Sequence, residues 1–162
     1  MFGSFFSAKT YLSGLEFIIS EKHPVPNISV ADFRKALGEE TGSAYLIFDI
    51  REKDEYDLSH IHSAIHVLPD TTNDDFLKAF SDRLRGKHLV FYCSVGERSS
   101  EFLEKVQEIC NAFGAASLSN LTGGIFRWYN DGYPVENDRG VCEDVHPYTP
   151  FWGMFIERRR KL

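Results

Sequence analysis

Two short runs of apolar residues constrain the fold of this chain more than any other feature. Residues 44–50 (AYLIFDI) and residues 88–93 (HLVFYC) are nearly continuous in apolar character, and neither alternates regularly with polar positions. A run of this length and pattern is typical of a strand that is covered on both faces, as in a parallel sheet between helices. We therefore expect both runs to lie inside one sheet.

Segments with helical signals alternate with these runs. Ser29 and Asp32 form a capping pattern before a helix that we expect Gly38 to end. Asn73 is expected to cap a second helix. The other predicted elements are strands over 64–68 and 116–121, helices over 73–84 and 99–113, and a short helix after residue 124.

Strands that alternate with helices imply crossover connections and a sheet between two helical layers. We predict an α/β, three-layer fold with a mostly parallel central sheet and helices on both faces. Residues 28–136 are expected to form the domain, residues 1–27 an N-terminal extension, and residues 137–162 a tail that packs on the domain or on a partner. In such sheets the reacting groups lie beyond the carboxyl ends of the strands, where Asp49, Arg51 and Cys93 occur.

The charge and the cysteine count narrow the class of protein. The formal net charge is −6, which disfavours nucleic acid or an anionic membrane as the main partner. The basic run at residues 158–161 is interpreted as a solvated tail, the alternative being an anion-binding role. The chain has three cysteines, an odd number that argues against a disulfide framework and predicts a reducing, cytoplasmic location.

Both ends of the chain are rich in aromatic residues. Lys9 and Glu16 interrupt the N-terminal aromatic stretch, so we predict neither a signal peptide nor a membrane span there. The C-terminal stretch 146–156 is expected to fold back over the domain or to meet the N-terminus, and together the termini could form a homodimer contact. The aromatic residues concerned are Phe2, Phe5, Phe6 and Phe17 at one end and Phe151, Trp152 and Phe155 at the other.

The segment 93–99 (CSVGERS) joins a predicted strand to a predicted helix and is the candidate reactive site. Unpaired amides and the helix dipole favour an anion at a helix N-terminus, so Cys93 should favour the thiolate there, with Arg98 adding positive charge. Gly96 lets the loop curl, and Ser99 is predicted to be the N-cap. The same ring of donors would stabilise a persulfide, which is also an anion. The predicted substrate-binding residues are Ser94, Val95, Gly96, Glu97, Arg98 and Ser99.

The alternative interpretation is that Cys93 is simply buried, as free cysteines often are. The spacing of Gly96 and Arg98 before a helix favours the reactive interpretation. Cys110 lies on the apolar face of its predicted helix and is expected in the core. Cys142 lies in a polar stretch and is expected to be an exposed bystander, the alternative being a resolving thiol.

The motif C-x-x-G-x-R-S after a strand resembles the active loop of the rhodanese family. Residues 48–65 resemble its D-x-R, E-[FY] and G-H-I-P-G-A-I elements, and residues 121–135 resemble its terminal L-x-G-G-x-x-x-W-x-x-x-G-x-P-V. The three elements occur in the family's order. The chain departs from the pattern at Ser59, His62 and Ser63, where the family usually has glycine, proline and glycine.

This resemblance implies a rhodanese-like fold and a sulfurtransferase without a cofactor. Sulfane sulfur would pass from a small anionic donor such as thiosulfate, through a persulfide on Cys93, to cyanide, a thiol or a protein acceptor. The resemblance also implies that Asp49 and Arg51 brace the loop, with Arg51 pairing with a carboxylate such as Glu55.

Three histidines are candidates for a catalytic base or for metal ligands. His60 could act as a base toward Cys93, but the matching family position is usually structural. His62 and His66 have a spacing that suits a metal only on a helix, and they flank a predicted strand. We therefore predict no metal site and no cysteine–histidine dyad.

Two other functions remain open at this point. Cysteine phosphatases and arsenate reductases resemble this family, but the phosphatases use C-x5-R, whereas the loop from Cys93 to Arg98 is one residue shorter. A persulfide carrier or interaction module without turnover of its own is the other alternative.

Overall fold

The computed structural model describes residues 7–39 and 44–157. Within them, five parallel strands form one sheet in the order β1-β5-β4-β2-β3. The strands are β1 (Asn27–Ile28), β2 (Tyr45–Asp49), β3 (Ile65–His66), β4 (His88–Tyr92) and β5 (Ser117–Leu121). The helices are α1 (Ala8–Lys22), α2 (Val30–Glu39), α3 (Lys53–Leu58), α4 (Asn73–Leu84), α5 (Glu97–Ala112) and α6 (Gly124–Asn130). The predicted α/β fold with a mostly parallel sheet is confirmed.

The two apolar runs form the neighbouring strands β2 and β4. Ile47 pairs with Val90, and Phe48 pairs with Phe91. Because successive side chains of a strand point to opposite faces, the first pair packs with α1, α2 and α6, and the second packs with α4 and α5. This double burial explains why neither run alternates with polar residues, and it places helices on both faces.

Helix α1 was not predicted, because its apolar spacing is masked by neighbouring apolar residues. Leu12 and Ile19 are buried against the domain, whereas Phe17 and Ile18 are exposed. The docked face also carries a charge pair, in which Arg127 Nε of α6 lies 2.7 Å from Glu16 Oε1. The helix therefore packs on the same face of the sheet as α2 and α6.

Several predicted helix ends are wrong by a few residues. Ser29 does accept the amide of Asp32 at 3.0 Å, as expected, but α2 continues through Gly38 to Glu39. A glycine inside a helix costs only about 1 kcal/mol, which packing elsewhere offsets. Helix α4 is capped by Thr72 rather than Asn73, because the Thr72 side chain accepts the amide of Asp75.

The C-terminal segment contacts the domain. A hairpin of β6 (Val135–Asn137) and β7 (Gly140–Cys142) precedes a 3₁₀ helix, Trp152–Phe155, that contacts α1. Phe155 is buried, and its carbonyl accepts a hydrogen bond from Asn130 Nδ2 at 2.8 Å. Phe151, expected to be buried as well, is 63% exposed because it lies on the outer side of this turn.

Some predictions fall outside the described residues, namely those on Phe2, Phe5, Phe6 and the basic run 158–161. Among the helices that are described, none is both long and apolar enough to cross a membrane.

Candidate active site

Cys93 lies at the carboxyl edge of the sheet, directly after β4. The loop that follows turns at Gly96, whose φ of +106° is strained for residues with a side chain, and α5 begins at Glu97. A β-carbon at Gly96 would also lie 3.2 Å from Asn120 Nδ2. Cys93 is only 1% exposed. The loop therefore holds the sulfur atom at the start of a helix, in a position nearly closed to water.

Two donors from this loop and the first turn of α5 contact the Cys93 sulfur. The Gly96 amide donates to Sγ at 3.2 Å, and the Ser99 hydroxyl lies 3.5 Å from it. The prediction that Ser99 caps α5 is wrong, because the helix begins two residues earlier and Ser99 is buried in its first turn. By α-helical geometry, the first amides of α5 have no partner within the helix.

Asn120 is a buried neighbour of the site that the sequence analysis missed. The Ser99 hydroxyl donates to Asn120 Oδ1 at 2.6 Å, and Asn120 Nδ2 donates to Asn27 Oδ1 at 2.9 Å. A hydroxyl has one proton, so Ser99 can donate either to Asn120 or to Cys93, but not to both. The much shorter distance to Asn120 indicates that Ser99 donates this proton to Asn120 Oδ1. No motif marks this asparagine; it reaches Ser99 because β5 lies beside β4.

The Gly123-Gly124 motif brings a second helix against the loop. The amides of Ile125 and Phe126 donate to the carbonyls of Cys93 and Ser94 at 2.9 and 3.0 Å. A β-carbon at Gly124 would lie 2.3 Å from the Cys93 carbonyl oxygen, which is closer than real atoms approach. Glycine is therefore required at this position for α6 to fix the backbone of Cys93.

Arg98 pairs with the buried carboxylate of Glu55. Its guanidinium nitrogens lie 2.7 and 2.9 Å from the two carboxylate oxygens, and Nη2 also donates to Ser94 Oγ at 3.0 Å. Glu55 is 1% exposed. Burial alone would raise the pKa of Glu55, but the hydrogen bonds and charge of Arg98 hold it below its ordinary value. Arg98 therefore connects the loop to α3 as half of an ion pair.

The C-terminal segment covers Arg98 on its outer side. The Tyr148 ring lies 4.3 Å from the guanidinium carbon, a cation–π distance. The segment is anchored nearby, since Val145 is buried and Tyr129 Oη donates to the Glu143 carbonyl at 2.6 Å. The rim of the loop is thus built partly by residues far along the chain.

Asp49 and Arg51 form a second buried ion pair at the edge of the sheet. Arg51 Nε and Nη2 lie 2.9 and 2.7 Å from the two oxygens of Asp49, and Tyr92 Oη donates to Asp49 at 2.5 Å. The expectation that Arg51 pairs with Glu55 is wrong, because Glu55 is occupied by Arg98. The Asp49 charge raises the pKa of Arg51 although burial opposes it. Arg51 also donates to the Ser59 carbonyl at 2.6 Å, which ties β2 to the turn after α3.

The remaining loop residues have separate roles in the structure. Val95 is buried in the core, and Ser94 Oγ donates to Glu55 at 3.1 Å. Glu97 forms ion pairs with Lys22 and His23. Burial alone would raise the pKa of Glu97, but these two partners lower it below its ordinary value.

The other cysteines and the histidines do not contact the Cys93 sulfur among the described residues. Cys110 is fully buried, and burial raises the pKa of its thiol to about 11. Cys142 is half-buried rather than exposed as expected, and burial also raises its pKa. His60 stacks on Tyr56 with ring centres 4.0 Å apart, and the imidazole of His62 faces Glu136.

The chain is similar in sequence and in fold to known proteins. Residues 29–131 match the model of the family described as "Rhodanese-like domain". The thiosulfate:glutathione sulfurtransferase of Saccharomyces cerevisiae is 29% identical over 126 residues, which is 70% of this chain and 86% of that protein. A rhodanese-related protein from Thermoplasma volcanium, whose crystal structure is known, has a TM-score of 0.52 and 26% identity, covering 68% of this chain and 96% of that one.

A longer relative shares only this domain. The adenylyltransferase and sulfurtransferase MOCS3-1 of Drosophila pseudoobscura pseudoobscura is 30% identical over 108 residues, which is 65% of this chain but only 23% of that protein. The family match spans more than half of the chain and includes the whole loop from Cys93 to Ser99. The chain belongs to the rhodanese-like domain family.

Proposed function

We propose that this protein is a sulfurtransferase that takes sulfane sulfur from thiosulfate and passes it to a nucleophilic acceptor. The Cys93 thiolate attacks the outer sulfur of thiosulfate, the sulfur–sulfur bond breaks, and sulfite leaves with the electron pair of that bond. Cyanide or a thiolate then attacks the terminal sulfur of the persulfide, and Cys93 leaves again as a thiolate. No external oxidant or reductant is needed in either step.

The position of the Cys93 sulfur carries this proposal. The sulfur lies at the start of α5, 3.2 Å from the Gly96 amide and 3.5 Å from the Ser99 hydroxyl. The Gly96 amide and the N-terminus of α5 stabilise negative charge at the sulfur, which both the thiolate and the persulfide carry. Because Cys93 is 1% exposed, a slender group such as the outer sulfur of thiosulfate suits the site better than a bulky one.

The loop favours sulfur transfer over phosphate hydrolysis. It spans six residues from Cys93 to Arg98, one fewer than the C-x5-R loop of cysteine phosphatases, and its amides cannot rotate away to admit a tetrahedral anion. Arg98 is already held by Glu55 through two hydrogen bonds. Phosphate hydrolysis also needs a general acid, and the lowered pKa of Glu97 keeps that carboxyl ionised.

A small thiol is the acceptor that we propose for the cell. The yeast relative, which this chain covers over 86% of its length, is a thiosulfate:glutathione sulfurtransferase. Cyanide is the convenient acceptor for an assay. A carrier that holds the persulfide for a protein partner remains the second candidate, since a buried persulfide would be protected from adventitious reaction.

One side-by-side assay separates these functions. The protein is given thiosulfate with cyanide in one reaction and an aryl phosphate in another, with Cys93→Ser and Cys142→Ser as the paired variants. We expect thiocyanate from the parent and from Cys142→Ser, none from Cys93→Ser, and no phosphate release. Phosphate release without thiocyanate would refute the proposal. A stable persulfide without turnover would favour the carrier.

A further inference from the structure

A cluster of charged residues joins the end of α1 to the first two turns of α5, beside the reactive loop. Coordinating atoms of His23, Glu97 and Glu101 all lie within 4.8 Å of one another. His23 directly follows α1, and the two glutamates lie one turn apart on α5. A histidine and two glutamates from helices far apart in the chain thus present three metal-binding groups to one point.

The orientation of His23 is the feature that indicates a ligand. The side chain is 5% exposed, and its Nδ1 lies 3.0 Å from Glu104 Oε1. Its Nε2 is buried and has no hydrogen-bond partner among the described residues, although Glu97 Oε1 is 3.2 Å away. A metal-binding histidine typically donates one ring nitrogen to a carboxylate while the other faces the ion, which is the arrangement here.

The nitrogen–oxygen distance also fits a shared ion. With zinc bonds of about 2.0–2.1 Å, two ligands of one tetrahedral zinc lie about 3.3–3.4 Å apart. The pair His23 Nε2 and Glu97 Oε1 is 3.2 Å apart without the alignment of a hydrogen bond. Glu101 is exposed, so its carboxylate can move by a rotamer change to complete the set.

A cation already lies next to the same oxygens. The Lys22 ammonium contacts Glu97 Oε1 and lies 4.0 Å from Glu101 Oε1. The Lys22 side chain is largely exposed and can swing into solvent when a divalent ion enters. A proton is the other competitor. Burial lowers the pKa of His23, but Glu97 and Glu104 more than reverse this effect and favour the imidazolium.

We propose that His23, Glu97 and Glu101 bind a zinc ion, which displaces the Lys22 ammonium and ties α1 to α5. In the sequence, His62 and His66 were the histidines with a spacing that suggests a metal, whereas His23 meets Glu97 and Glu101 through the packing of α1 on the domain. Glu97 belongs to the loop segment that starts at Cys93, so zinc at this point would stabilise the end of that loop. The site does not depend on the proposed sulfur transfer.

The test is a calorimetric titration of zinc chloride into the full chain carrying Cys93→Ser and Cys142→Ser, since thiolates bind zinc themselves. We expect one zinc per chain and little response to magnesium, which disfavours imidazole. Glu101→Gln, at an exposed position that does not threaten folding, should abolish tight binding. His62→Gln, at an exposed histidine, is the matched control. It should bind zinc as tightly as the protein that carries the two cysteine substitutions alone.

Two further variants test the geometry. Glu104→Gln should weaken zinc binding by about tenfold or more, as expected when the carboxylate behind a ligating histidine is lost. Lys22→Met removes the competing ammonium and should tighten binding. Zinc should also raise the melting temperature of the parent but not that of Glu101→Gln. Equal binding in the parent and Glu101→Gln, or no binding to the parent, would overturn the proposal and leave a protonated His23 between two carboxylates.

Discussion

Replacing Arg98 by methionine removes the charged partner of a carboxylate that is 1% exposed. Of its hydrogen-bond donors among residues 7–39 and 44–157, Glu55 would keep the Glu52 amide at 2.9 Å and the Ser94 hydroxyl at 3.1 Å. Breaking a buried ion pair from one side costs about 3–5 kcal/mol. Because the Arg98 side chain is 18% exposed, water can partly replace it. We therefore expect the free energy of unfolding to fall by an amount near the lower end of this range, about 3 kcal/mol.

Urea unfolding of four proteins measures this effect. The set is the parent, Arg98→Met, Glu55→Gln and the double variant, which isolates the coupling between the two side chains. A coupling energy of about 1.5–3 kcal/mol is expected for hydrogen bonds between charged groups. A loss below about 0.5 kcal/mol in Arg98→Met, the size of an ordinary surface change, would refute the reasoning.

The pH dependence of the same pair has a definite sign. The pKa of Glu55 is lowered in the folded protein, so its contribution to stability is present above the ordinary value of 4.5. That contribution is lost as the pH falls through the lowered folded value. The stability difference between the parent and Arg98→Met should therefore shrink below pH 4.5. A difference that grows on acidification would show that the two side chains are not coupled.

Other substitutions test the supports of the loop. Gly124→Ala should destabilise the protein by more than about 1 kcal/mol and slow sulfur transfer, since a β-carbon there meets the Cys93 carbonyl; unchanged melting and rate would contradict this. Phe155→Ala should cost about 3 kcal/mol in urea unfolding, whereas the exposed Phe151→Ala should cost almost nothing. Equal losses of stability in the two variants would contradict the burial of Phe155 and the exposure of Phe151. Tyr148→Ala should cost about 0.5–1 kcal/mol, well below Arg98→Met, and a larger loss than that of Arg98→Met would reverse the ranking.

The elements that the sequence predicted well are those whose signal is local. Strands β2 and β4 were recognised because burial on both faces makes their residues uniformly apolar. The candidate loop stands out in the sequence because a cysteine, a glycine and an arginine at fixed spacing follow a strand, and the structure places it between β4 and α5. Helix α1 was missed, since the exposed Phe17 and Ile18 conceal the periodicity of its buried face.

The pairings between charged side chains could not be predicted in the same way. Arg51 was predicted to pair with Glu55. It pairs instead with Asp49, two positions away, through two hydrogen bonds to the carboxylate. Arg98 was expected to add positive charge at the loop, whereas it pairs with a carboxylate 43 residues earlier. Which carboxylate each arginine pairs with depends on where α3 packs relative to the loop. The spacing of residues in the sequence does not predict that packing.

Intact mass spectrometry tests the central claim most directly. Thiosulfate should add the mass of one sulfur atom to the parent and to Cys142→Ser, and cyanide should remove it. Cys93→Ser should gain nothing, because the sulfur that lies 3.2 Å from the Gly96 amide is the proposed acceptor. The sulfur adduct appearing in Cys93→Ser, or failing to form in the parent, would contradict the assignment of Cys93 as the persulfide-forming residue.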